Sequence, residues 1–122
     1  MKAVQAFLLD VVLVLVFVVI GRRNHHEATA AAGVVRTAAP FLIAIVAGWA
    51  AVRAWVRPTA LRTGAVVWIV TVALGLALRR LAFHYGIAAA FIVVATLFNA
   101  FTLVGWRFVL MMVRRNAGPA VR

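Results

Sequence analysis

Four long apolar runs, parted by short clusters of arginine, leave this 122-residue chain few ways to fold. A helix needs about 20 mostly apolar residues to cross the hydrocarbon core of a bilayer, with about 17 as the lower limit. Runs of that kind occupy residues 3–20, 38–56, 60–79 and 87–107, the third counting Arg62, Arg79 and Arg80 as ends that snorkel to the headgroups. The chain is 67% apolar and only 12% charged, with a mean hydropathy of +1.11, which is too little polar surface to coat a soluble domain of this size. The expected fold is therefore all-α. It is an integral membrane bundle of four transmembrane helices running up, down, up and down, forming one domain over 1–122 with a frayed tail at 116–122.

Helix punctuation agrees with this division. Gly21 follows the first run, Pro40 falls in the first turn of the second, Pro58 separates the second from the third, and Gly86 precedes the fourth. The only substantial loop is 22–37, where the alanine-rich stretch 28–32 has the propensity for a short helix on the membrane surface. The connections 57–62 and 79–86 are short enough to force antiparallel neighbours. Arg22 and Arg23 stand where a signal peptide would have its small-residue cleavage site, so the first run reads as a retained anchor.

The net charge of +11, against acids only at Asp10 and Glu27, would suit a nucleic-acid binder if the basic residues lined one face. They cap apolar runs instead, so nucleic acid is not expected as a partner; membrane lipids with anionic headgroups are. On the side that holds both termini and the middle connection lie Lys2, Arg53, Arg57, Arg62, Arg107, Arg114, Arg115 and Arg122. The opposite side has Arg22, Arg23, Arg36, Arg79 and Arg80, and eight against five predicts a multi-pass protein of the bacterial inner (plasma) membrane with both termini in the cytoplasm. Trp55 and Trp106 fall at that inner boundary and Tyr85 at the outer one, as an aromatic belt would. Arg53, Arg57, Arg62, Arg114 and Arg115 form the cluster expected to hold lipid headgroups.

Asp10 carries the most information about function. The run after it, 11–20, is too short to span alone, so the carboxylate sits about 10 Å along a membrane helix. Such a group either binds a proton or ion or takes a charged partner. Arg53, Arg57, Arg62 and Arg107 are the candidate partners at that depth, and an ion pair that fixes helix packing is the favoured role. Asn99, Thr96 and Thr71 are further polar candidates inside the spans; Asn99 is expected to bond across a helix interface, and the functional alternative lines all three up with Asp10. Gly48, Gly64, Gly75 and Gly105 offer smooth surfaces for close helix approach.

Catalysis calls for mutually oriented acid and base groups, and two carboxylates at different depths do not supply them, so no enzyme and no catalytic residue is expected. The chain has no cysteine, and His25-His26-Glu27, with His84, lacks the four-residue histidine spacing of a zinc helix, so neither metal nor cofactor is expected. Two functions compete. One is a non-catalytic bundle that self-associates into a homo-oligomer or docks on a larger membrane complex through its glycine and alanine faces. The other is a small oligomeric transporter or channel, coupled to protons or cations, that works through Asp10.

Residues spread over nearly the whole chain carry a family resemblance. Asp10 precedes Phe17-Val18-Val19-Ile20-Gly21-Arg22-Arg23-Asn24-His25; then come Arg36-Thr37-Ala38-Ala39-Pro40-Phe41-Leu42, Arg53-Ala54-Trp55 with Arg57-Pro58, Leu61-Arg62-Thr63-Gly64 with Trp68, and Gly105-Trp106-Arg107. This pattern resembles a family of small actinobacterial membrane proteins, domain of unknown function 3054. His26 stands where that family more often has Asp. The resemblance implies a stand-alone four-span protein of the inner membrane and carries over no catalytic residue.

Overall fold

The computed structural model describes residues 1–24, 31–82 and 89–116. Among them are α1 (Ala3–Asn24), α2 (Ala31–Val52), α3 (Leu61–Leu81), α4 (Ala89–Asn99), a π-helical turn (Ala100–Val104) and α5 (Gly105–Asn116). The last three form one continuous span, Ala89–Asn116, so four helices are long and apolar enough to cross a membrane. Consecutive helices pack side by side, and α1 closes the ring against α4. We call the end that holds Ala3, the 53–60 connection and Asn116 the near end, and the other the far end.

Each helix has two faces, set by its 3.6-residue turn. In α1, Ala6, Asp10, Val14 and Phe17 are buried while Val4, Leu8, Val12, Val16 and Ile20 are exposed. Exposed rows of this kind would drive aggregation in water, and hydrocarbon solvates them. The chain is a multi-pass membrane protein.

Lipid tails are as apolar as leucine, so helices in a membrane associate through close packing and hydrogen bonds. The most intimate pair is α2 with α3. Gly48 lies so close to α3 that a Cβ there would stand 3.3 Å from the Val67 Cα. Toward the far end Phe17 meets Phe41, Phe91 and Phe98 at ring-centroid distances of 5.7, 6.0 and 5.6 Å. Gly75 makes room for this cluster, since a Cβ on it would come within 2.5 Å of the Phe41 ring.

Four boundaries differ from those expected, the first being that α1 continues through Gly21 to Asn24 rather than stopping at residue 20. The second span is helical from Ala31 rather than residue 38, with Ala31 and Ala32 favouring that conformation, and Pro40 lies buried well inside α2 instead of in its first turn. A membrane helix tolerates the hydrogen bond that Pro40 removes. The same span stops at Val52 rather than residue 56. Arg53 takes a left-handed conformation (φ 51°), the Ala54 amide donates to the Trp49 carbonyl (2.9 Å) and the Arg53 amide to the Ala50 carbonyl (3.2 Å). That paired arrangement is a Schellman stop with arginine where glycine is usual. The fourth span runs past residue 107 to Asn116, ending on Arg114 and Arg115, whose charge suits a helix C-terminus.

Candidate functional site

Asp10 meets its partners at the near end. Its buried carboxylate and the buried Arg107 guanidinium form a two-pronged ion pair, with Nη1 donating to Oδ1 at 3.0 Å and Nη2 to Oδ2 at 2.7 Å. Two indoles complete the set: Trp106 Nε1 donates to Oδ1 at 2.8 Å and Trp49 Nε1 to Oδ2 at 2.9 Å. An ionised carboxylate has about four acceptor positions. All four are filled.

Arg107 is nearly as occupied, with four of its five N–H groups bonded. Its Nε donates to the Pro58 carbonyl at 2.8 Å and its Nη1 to the Leu103 carbonyl at 2.8 Å, while the guanidinium carbon lies 4.4 Å from the centroid of the Trp106 ring. Two residues thus tie together α1, α2, the 53–60 connection and α5. The forked shape of arginine makes this feasible, because its N–H groups point in fixed, divergent directions.

The π-helical turn explains how Arg107 reaches the interior. Ala95, Asn99, Leu103 and Arg107 are all buried, a strict four-residue series. In a regular α-helix each such step overshoots a full turn by about 40°, so three steps would carry the last residue about 120° round the helix. The wider turn at Ala100–Val104 takes up much of that drift and holds the series on one face. Gly64 supplies the space opposite, since a Cβ there would lie 2.7 Å from the Arg107 Cδ and 3.2 Å from the Leu103 carbonyl oxygen.

Of the four arginines considered as partners for Asp10, the structure brings Arg107 to it. Arg53, Arg57 and Arg62 do not reach it; they are exposed on and beside the connection, which turns them outward below the sealed pair. Arg114 donates to Thr59 Oγ1 at 3.2 Å, fastening the end of α5 to the same connection, and Arg115 is exposed. The polar stripe imagined through Thr71, Thr96 and Asn99 does not join Asp10. Thr96 Oγ1 donates to the Ile92 carbonyl (2.7 Å) and Asn99 Nδ2 to the Ala95 carbonyl (2.7 Å), so both turn back on their own helix, and Asn99 donates no bond across an interface among the described residues. Asn99 Oδ1 and Thr71 Oγ1 are buried with no hydrogen-bond partner among the described residues. His25, His26, Glu27, His84 and Tyr85 lie outside the described residues.

The two tryptophans are the participants that sequence reasoning missed. From its position Trp106 reads as an aromatic-belt residue, yet its N–H faces the carboxylate. A signal existed for Trp49, which continues the four-residue series Phe41, Ile45, Trp49 on the buried face of α2. A buried indole N–H needs an acceptor, and Asp10 is the only acidic residue in any of the four spans.

No curated protein and no solved structure matches this chain. Its residues 7–110 match the family model described as "Protein of unknown function (DUF3054)". That stretch runs from three residues before Asp10 to three residues after Arg107 and includes both tryptophans, so the chain belongs to this family of unknown function, with the clasp inside the family region.

Proposed function

We propose that this protein is a non-catalytic helical bundle of the bacterial plasma membrane, which self-associates or docks on a larger membrane complex. The observation that carries this reading is the filled acceptor set of Asp10. A carboxylate that serves as a proton or cation site must exchange partners with its ligand. Here four donors already hold it, two of them from a buried guanidinium, and breaking a buried ion pair costs about 3–5 kcal/mol. Co-purification in mild detergent tests the reading: a homo-oligomer or a stable complex supports it, and a strictly monomeric particle without a partner contradicts it.

The competing reading, a small proton- or cation-coupled transporter, requires the clasp to open during each cycle. In proteoliposomes, wild-type protein and Asp10→Asn should give equal flux, at the level of empty vesicles. Flux above that level, abolished by Asp10→Asn, would establish the transporter.

We propose further that both termini face the cytoplasm. Arg107 is neutralised inside the bundle and drops out of the topology count, which leaves seven basic residues against five. The chain has no cysteine, so single cysteines introduced at Lys2 and at Arg36 report without background. An impermeant thiol reagent applied to intact cells should label only the second.

A further inference from the structure

The near end carries two surface features that meet at one residue. The first is a pocket of about 630 Å³ against the 53–60 connection, lined by Arg53, Arg57, Arg62 and Thr63 among others. None of these three guanidiniums has a hydrogen-bond or ion-pair partner among the described residues. Asp10, the only acidic side chain among the described residues, is consumed by Arg107. The connection itself is well held, because Thr63 Oγ1 donates to the Arg57 carbonyl at 2.7 Å and Arg107 Nε bonds the Pro58 carbonyl.

The second is a groove of about 860 Å³ between α1, α3 and the π-helical turn with α5, walled by Leu9, Leu13, Ala65, Phe101 and Val109. Its floor at Gly105 is open, since a Cβ there would meet nothing within 4 Å. Arg62 lines both the groove and the cationic pocket. The first turn of α3 therefore joins an apolar channel at membrane depth to three guanidiniums at the rim. That is the shape and charge of an amphiphile with an anionic head.

We propose that this joined site binds one anionic phospholipid, its phosphate held by Arg53, Arg57 and Arg62 and an acyl chain laid in the groove over Gly105. Arginine suits the head because it can grip phosphate oxygens two at a time. Each arginine near a membrane surface favours anionic lipid about fivefold. The apolar groove adds a requirement for the chain that a free phosphate cannot meet. This proposal depends only on the protein lying in a membrane, not on whether the bundle docks or transports.

The experiment is native mass spectrometry of protein taken up from vesicles of equal parts phosphatidylglycerol and phosphatidylcholine. Wild type should retain phosphatidylglycerol in preference to phosphatidylcholine, and neither inorganic phosphate nor glycerol phosphate should displace it. Arg57→Gln with Arg62→Gln should cut the preference by about fivefold per residue. Gly105→Leu, which fills the groove where there is space for it, should lower retention while the thermal unfolding midpoint stays at the wild-type value. Should the paired arginine variant not fold, the exposed single substitution Arg62→Gln gives the same reading. Equal retention of the two lipids, displacement by inorganic phosphate, or wild-type retention by Gly105→Leu would each overturn the proposal; displacement by phosphate would identify a free-anion site instead.

Discussion

At the near end Asp10, Trp49, Trp106 and Arg107 meet through hydrogen bonds of 2.7 to 3.0 Å, whereas toward the far end Phe17, Phe41, Phe91 and Phe98 meet through rings whose centroids lie 5.6 to 6.1 Å apart. Hydrogen bonds are directional, so the near end fixes how α1, α2 and α5 are rotated about their axes. Ring packing tolerates sliding and tilting, so the far end holds the helices together with less control over register. In lipid, where apolar burial between helices brings little gain, the polar end is the stronger determinant of a single arrangement. Buried polar clusters specify structure only when every member is satisfied, and the clasp meets that condition.

Substitutions at the two ends should therefore differ in size. Arg107→Met should have the largest effect, lowering stability in detergent micelles by about 3–5 kcal/mol, because it leaves Asp10 and the Pro58 carbonyl without their partner. Matched glycine substitutions sharpen the contrast. Gly64→Ala pushes on an arginine held at four points, and Gly75→Ala on the Phe41 ring alone, so both should destabilise within the overpacking range of about 1–3 kcal/mol with Gly64→Ala nearer its top. At the far end Phe17→Leu should cost no more than about 1.5 kcal/mol, since a similar apolar volume can repack. The smallest effect is a gain: Arg53→Gly should raise stability by about 1 kcal/mol by relieving a left-handed non-glycine residue. Thermal unfolding followed by tryptophan fluorescence measures all five, and equal losses at the two ends would remove the distinction between them.

The four spans were legible because the periodic cost of charge in hydrocarbon is written along the chain as apolar runs ending in arginine. The depth of Asp10 followed from the same arithmetic, since 11–20 is too short to cross alone. Its partner was not legible among four arginines, because the choice depends on rotation about a helix axis. The π-helical turn alters that rotation, and nothing in Ala100-Phe101-Thr102-Leu103-Val104 announces it. Arg107 looked like a topology signal for the same reason that Trp106 looked like a belt residue: both lie where a regular helix would reach the membrane surface. The span in fact continues to Asn116, which places them deeper. The inward turn of Asn99 toward Ala95 was equally hidden, as it reflects side-chain conformation and not residue type.

Asp10 and Arg107 act as one closed structural unit. A double-mutant cycle on Asp10→Asn and Arg107→Met, read as unfolding free energy in one detergent, tests it most directly. The double variant should lose less stability than the two single losses combined, by about 1–3 kcal/mol, because each single change strands the other's buried partner groups. Additive losses would contradict it.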